Sequence, residues 1–171
     1  MQLPVNKTLY RILTLLGVST AWEVSVGAVL YRQTASGNRE YLLLQYPSGH
    51  FDFAKGHVEV GESEIETLRR ETEEETGLTH VTVLDTARMS IRYFYIAKGS
   101  EREKRIKAKR GIWIFKEVHF YPASVSLEMP VVLSHEHIGY IWLPYAAAVE
   151  KATFENAKNL IVETEKLVRA Q

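Results

Sequence analysis

The chain has 171 residues, 46% of them hydrophobic and 25% charged, which is typical of one folded domain and not of a disordered segment. Lysine and arginine equal aspartate and glutamate at 21 each, so the overall charge gives no support for a nucleic-acid or membrane partner. The absence of cysteine excludes disulfides, thiol catalysis and cysteine-based zinc sites, and it fits a cytoplasmic protein. We therefore expect a single domain over residues 1–171, monomeric or homodimeric.

Residues 1–20 predict a short helical extension at the N-terminus. Apolar residues recur there at helical spacing, at Leu9, Ile12, Leu13 and Leu16. Lys7 and Arg11 interrupt the apolar run, which is shorter than the ~20 apolar residues that span a bilayer. The extension is expected to pack on the domain or against a partner subunit.

A β-hairpin is predicted next. Residues 24–31 and 40–46 are rich in aromatic and aliphatic residues, and the turn-forming sequence 36–38 separates them. The stretch 47–61 contains several glycine and proline residues and predicts a loop.

A helix over residues 63–76 has both of its ends marked in the sequence. Ser63 and Glu66 have the spacing of a capping box, and Gly77 stands where a glycine stop belongs. Only a few apolar residues share one face, which predicts moderate burial of this helix.

The rest of the chain alternates strands and helices irregularly. It predicts strands over 81–84, 89–97, 112–121 and 137–143, an irregular stretch over 122–130, a short helix from 145 and a longer one over 156–169. The fold class is therefore α+β, or a mixed-sheet α/β/α sandwich.

Segment 99–111 is interpreted as the basic tip of a hairpin between two of these strands. Six cations crowd it, namely Arg102, Lys104, Arg105, Lys107, Lys109 and Arg110. One interpretation is a solvated tip. The other is that Lys109 or Arg110 reaches a polyphosphate.

The helix 63–76 also concentrates carboxylates. Seven glutamates lie between residues 62 and 75, and Glu71, Glu74 and Glu75 project from one side of the helix because they are three and four residues apart. Two carboxylates ~4 Å apart repel by ~4 kcal/mol at an effective dielectric of 20. Such a cluster either forms a solvated face or binds a hard cation such as Mg²⁺ or Mn²⁺, which would suit a phosphoanhydride substrate.

Fixed spacings around this helix resemble the Nudix box. The family pattern is glycine, five residues, glutamate, seven residues, then R-E-U-x-E-E-x-G-U, where U is a bulky aliphatic residue. Gly56, Glu62 and the run Arg70–Leu78 match every fixed position, and Thr72 replaces the first aliphatic residue. The resemblance implies the Nudix fold and a divalent-metal-dependent pyrophosphohydrolase.

The same resemblance implies roles for the box residues. Metal ions would be held by Gly56 through its carbonyl together with Glu71, Glu74 and Glu75. Arg70 would orient the carboxylates, and Glu62 would brace the turn into the helix. The general base stays open between Glu74, Glu75 and a glutamate outside the box.

Two flanking segments are similar to asymmetrical diadenosine tetraphosphate hydrolases. Residues 51–59 (FDFAKGHVE) resemble their W-D-F-P-K-G-H-V-E loop, with Phe51 for tryptophan and Ala54 for proline. Residues 133–137 (LSHEH) with 142–143 resemble their L-S-x-E-H…W-L element. This likeness implies that His50 and Lys55 contact phosphates and that Glu136 adds a metal ligand.

Aromatic residues add two further candidates for substrate contact. The likeness places Phe154 against a base, although it could equally belong to the core. Tyr140 either contacts the substrate or packs beneath the sheet. Lys55 could also be a simple surface charge, and His50 a capping or solvent-exposed residue.

The expected function is hydrolysis of diadenosine tetraphosphate to ATP and AMP, with a small nucleotide as the partner and no membrane or nucleic acid. An alternative is another Nudix activity, on nucleoside triphosphates, 5′-triphosphate RNA or inositol pyrophosphates. A third hypothesis is a non-catalytic nucleotide-binding module.

Overall fold

A computed structural model describes residues 6–170, which divide into two compact units. The first unit runs up to Ser25 and includes Ser90–Val118, and the second comprises Val26–Met89 and the chain from His119 onward. Residues 1–5 of the expected N-terminal extension lie outside the described part. The single domain over 1–171 stays a prediction.

The order of elements alternates strands and helices, as the sequence predicted. The helices are α1 (Lys7–Leu15), α2 (Glu64–Thr76), α3 (Gly99–Lys107), α4 (Tyr145–Lys151) and α5 (Glu155–Arg169). The strands are β1 (Thr20–Gln33), β2 (Arg39–Gln45), β3 (Phe51–Asp52), β4 (Lys55–His57), β5 (Thr82–Val83), β6 (Met89–Ile96), β7 (Trp113–Ser124) and β8 (Gly139–Pro144). Strands β1 and β7 run through both units.

The second unit is built on strands in the order β3-β2-β1-β7-β5, with β8 paired to β2 and β4 to β1. Strand β2 is buried from Tyr41 to Leu44, which is typical of a strand that is covered on both faces. Leu42 and Leu44 share a core with Leu68 of α2, whereas the hydroxyl of Tyr41 bonds to Glu165 of α5. The mixed sheet with helices on its two faces confirms the predicted fold class.

The first unit contains α1, α3, β6 and the first halves of β1 and β7. Strand β6 pairs with β7. Tyr10 of α1 packs edge-on against Trp22 and Phe115, with ring centroids 5.6 and 5.5 Å apart. Within residues 6–170 no helix is long and apolar enough to cross a membrane.

The predicted hairpin tip over 99–111 is wrong, because most of that segment is the helix α3. Arg105 pairs with Glu101 one helical turn away at 2.9 Å, and such pairs stabilise helices. Arg105 is also buried and bonds to Glu23 at 2.7 Å, so it is not a solvated cation. The pairing of buried Arg105 with Glu23 could not be read from the local sequence.

Several other boundaries differ from the prediction. The predicted loop 47–61 contains the short strands β3 and β4, and β7 continues to Ser124, into the stretch expected to be irregular. The ends of α2 are confirmed, because Ser63 and Glu66 form the capping box and Gly77 takes a φ of 71°.

Candidate active site

Arg70 lies at the centre of the polar network on α2. Its guanidinium donates to Glu62 at 2.6 and 3.0 Å, to Glu71 at 2.7 Å and to Glu74 at 3.2 Å. It also donates to the carbonyl of His57 at 3.0 Å, which ties the helix to the end of β4. The structure thus brings together one cation and three of the predicted carboxylates, as the expected orienting role requires.

Glu62 connects the loop to the helix. Besides Arg70, it accepts hydrogen bonds from the Thr67 hydroxyl at 2.7 Å and the Glu59 amide at 3.1 Å. Arg70, followed by Thr67, lowers the pKa of Glu62 to about 2. Glu62 is therefore a carboxylate held in one geometry at neutral pH, which fits the bracing role inferred from the sequence.

Gly56 lies directly against Glu71. A Cβ atom at position 56 would overlap the Glu71 carboxylate. The backbone of β4 and this carboxylate therefore share one small space. The roles of the Gly56 carbonyl and of Glu71 as metal ligands stay predictions.

Glu71 and Glu75 are carboxylates whose negative charge lacks full compensation. Burial raises the pKa of Glu71, and the charges of Glu74 and Glu136 raise it further. Burial also raises the pKa of Glu75 to about 8, with contributions from Glu71 and Glu136. The Oε2 atom of Glu75 is buried without a hydrogen-bond partner. The negative charges of Glu71, Glu74, Glu75 and Glu136 therefore oppose one another's ionisation.

Lys55 stands next to this carboxylate group. Its ammonium lies 3.0 Å from Asp52, 3.0 Å from the Tyr46 hydroxyl and 3.2 Å from the Phe53 carbonyl. Burial opposes the charge, but Asp52 and Tyr46 outweigh it and hold the pKa of Lys55 above its ordinary value. Lys55 is thus a fixed cation and not a mobile surface charge.

An aromatic row leads away from Lys55. The His50 ring stacks on Tyr46 at 4.3 Å between centroids, and Phe154 follows at 5.3 Å from His50. Phe154 is 48% exposed, so the alternative that it belongs to the core is wrong. Its free ring at the end of the row is available to a flat ligand.

Tyr140 and Arg110, two predicted substrate contacts, belong to different units. Tyr140 is 45% exposed on β8, so the alternative that it packs beneath the sheet is wrong. Arg110 lies in the first unit, where it donates to Glu23 at 2.7 Å. Its expected contact with phosphate stays a prediction.

A family model of the NUDIX domain matches residues 21–163. The chain belongs to the Nudix family. It is 36% identical to the asymmetrical bis(5′-nucleosyl)-tetraphosphatase of Rattus norvegicus over 128 residues, which cover 72% of this chain and 77% of the relative. It is 33% identical to the enzyme of that name from Caenorhabditis elegans over 141 residues, with coverages of 80% and 90%.

A solved structure agrees with this assignment. The binary complex of C. elegans Ap4A hydrolase has a TM-score of 0.70 and 29% identity, and the match covers 87% of this chain and 99% of that one. This chain is therefore a Nudix hydrolase. Nudix hydrolases act on small nucleotide substrates and generally use divalent metal ions.

The residues of this Nudix site fit a hard divalent ion. The donors are carboxylate oxygens and a backbone carbonyl, the buried Glu75 oxygen lacks a partner, and the glycine at position 56 leaves room beside Glu71. In the part of the chain described, no group of three or more histidine, aspartate or glutamate side chains is already arranged to hold a metal ion. Arg70 instead engages oxygens of Glu71 and Glu74.

His137 and Tyr46 are site residues to which the sequence assigned no role. His137 is buried, with its Nε2 atom 3.4 Å from Glu75, and its ring meets the edge of Tyr46 at 4.5 Å. Burial lowers the pKa of His137, which favours the neutral imidazole. His137 could have been identified from the sequence, because it is the last residue of the LSHEH segment. No local sequence feature points to Tyr46 as a site residue.

Proposed function

We propose that this Nudix hydrolase cleaves diadenosine tetraphosphate asymmetrically to ATP and AMP, with Mg²⁺ as its cofactor. The observation that carries the proposal is the continuous row from Phe154 through His50 and Tyr46 to Lys55, beside Glu75. A base, a polyphosphate and a metal-bound phosphate occur in that same order in a dinucleoside polyphosphate. The names of the rat and worm relatives support the same substrate.

Each part of the row has chemistry suited to one part of the substrate. The exposed Phe154 ring would stack on a base, which contributes ~1–3 kcal/mol. Lys55 supplies a positive charge that Asp52 and Tyr46 fix in place, so phosphate oxygens would meet an already oriented donor. His50, with its pKa lowered by burial, would contact phosphate as a neutral donor.

The carboxylates would hold the cation and the water. Glu71, Glu74, Glu75 and Glu136 are the proposed side-chain ligands, together with the carbonyl of Gly56. When bound, Mg²⁺ would neutralise phosphate charge and lower the pKa of the attacking water. Water adds to one phosphorus, the phosphoanhydride bond breaks, and a glutamate takes the proton.

The direct experiment is product analysis by anion-exchange chromatography. The protein is incubated with diadenosine tetraphosphate, ATP, a 5′-triphosphate RNA and an inositol pyrophosphate, each with Mg²⁺ or with EDTA. Magnesium-dependent formation of ATP plus AMP from the first substrate is the expected result. Cleavage of another substrate alone would contradict the substrate proposal, and cleavage of none would favour a binding module.

A variant pair tests the row itself. Phe154→Ala should raise KM for diadenosine tetraphosphate by on the order of tenfold with little change in kcat, because stacking holds the bound substrate. Leu127→Ala is the control, since Leu127 is 43% exposed in the same unit and outside the row. Equal KM values for the two variants would exclude stacking on Phe154.

A further inference from the structure

The first unit carries a large excess of positive charge. It contains eleven of the 21 lysine and arginine side chains but only four of the 21 acidic ones, which gives it a net charge of +7. The rest of the chain carries −7, so the total is zero. The balanced composition therefore conceals a strongly basic unit.

Helix α1 in that unit exposes apolar side chains. Leu15 is 86% exposed, Leu16 73% and Ile12 48%, and none of the helix residues is fully buried. Tyr10 of the same helix packs edge-on against Trp22, and this contact holds the helix on the first unit. Exposure of adjacent leucines that the fold leaves uncovered is typical of a binding surface.

Backbone hydrogen bonds join the turn after α1 to the start of β7, which follows α3 in the chain. The Ser19 carbonyl, just after Leu16, accepts from the amides of Ile112 at 2.9 Å and Trp113 at 3.0 Å. The turn after α1 therefore lies against the residues that lead from α3 into β7. We define the α1–α3 patch as six of the exposed residues on these two segments, Leu15, Leu16, Lys104, Ile106, Lys107 and Lys109.

We propose that the α1–α3 patch binds the surface of a membrane that contains anionic lipids. Aliphatic side chains on a helix enter the boundary between headgroups and acyl chains, and neighbouring lysines pair with anionic headgroups. Single-stranded nucleic acid is instead bound by a cationic groove together with aromatic rings on which the bases stack. The large hydrophobic residues exposed in the first unit, over its described residues, are all leucine or isoleucine.

The proposal differs from the expectation of no membrane partner, which rested on the summed charge of the chain and on its short N-terminal apolar run. It is independent of the substrate, because it uses no residue of the proposed active site. Contact would be peripheral and reversible, since a short amphipathic helix contributes a small apolar area.

Vesicle co-sedimentation of the full-length protein tests the proposal. Vesicles of phosphatidylcholine alone are compared with vesicles that contain about 30% phosphatidylserine, at low and high salt. Binding to the anionic vesicles only, weakened by salt, is expected. Lys104→Gln/Lys107→Gln should weaken binding by on the order of tenfold, and Leu15→Ser/Leu16→Ser should also weaken it, with hydrolytic activity unchanged in both.

The matched control is Lys158→Gln/Lys166→Gln, which removes the same charge from α5 in the other unit. Control binding at the wild-type level supports the proposal, whereas an equal loss in the control would overturn it as a nonspecific charge effect. Retention of single-stranded RNA without vesicle binding would overturn it in favour of nucleic acid. Self-association that Leu15→Ser/Leu16→Ser abolishes, without vesicle binding, would overturn it in favour of a second copy of the chain.

Discussion

Gly56 shows how a single backbone position can control a carboxylate. The residue has a backbone conformation that other residues adopt, yet a Cβ atom there would occupy the space of the Glu71 carboxylate. Gly56→Ala should therefore displace Glu71 and lower kcat about tenfold or more, with weaker Mg²⁺ dependence. Steady-state kinetics over a Mg²⁺ titration measures this effect.

Gly139→Ala is the control for that substitution. Its Cβ would meet the flexible end of Gln45 at 3.0 Å, which can move aside. We expect near wild-type kinetics for this variant. If Gly56→Ala also keeps wild-type kinetics, the close approach of Gly56 and Glu71 has no role in metal binding.

Glu75 combines burial with an oxygen that lacks a hydrogen-bond partner. Glu75→Gln should reduce kcat by about a hundredfold or more, because the proposed ligand loses its charge. The metal-free Glu75→Gln protein should melt within about 4 °C of wild type, because the Oε2 atom makes no hydrogen bond that the substitution could remove. Glu73→Gln, exposed on the same helix, should keep full activity, and a comparable loss there would point to helix charge instead of metal ligation.

At the scale of elements, helix α2 depends on its N-terminal cap. Ser63 accepts from the Glu66 amide at 3.3 Å, and the Glu66 carboxylate accepts from the Ser63 amide at 2.8 Å. Ser63→Ala should lower the free energy of unfolding by ~1 kcal/mol, measured by urea denaturation. Ser100→Ala, exposed on α3, should change it by less than ~0.5 kcal/mol.

At the scale of the whole molecule, Glu165 joins the sheet to the C-terminal helix within the second unit. It accepts from Tyr41 at 2.5 Å, Arg39 at 3.0 Å and Arg169 at 2.6 Å. Burial works against the charge, but these hydrogen bonds outweigh it and lower the pKa of Glu165. The charged form therefore stabilises the fold above the ordinary glutamate pKa, and this contribution is lost as the pH falls through the lowered folded-state value.

Glu165→Gln should consequently cost more stability at neutral pH than in acid. We expect a loss of about 2 kcal/mol at pH 7, shrinking toward pH 3, from urea denaturation at several pH values. Glu163→Gln, which removes an exposed pair with Lys166, is expected to change stability by less than ~1 kcal/mol at every pH. A pH-independent loss in Glu165→Gln would mean that packing, not charge, explains it.

The sequence by itself determined the elements whose signals are local. The capping box and glycine stop fixed α2, because both depend on residues within one or two helical turns. The spacing of the Nudix box identified the family, since its pattern is a property of sequence order. The fold class followed from the alternation of strands and helices.

Only the tertiary structure decided the features that depend on residues far apart in the chain. Arg105 of the basic segment is buried with its charge paired to Glu23, 82 positions earlier. Tyr46 joined the site because folding stacks it on His50 and places it edge-on to His137. The net charge of the first unit likewise emerged only on folding, because a sum over the chain cannot show which charges belong to one compact unit.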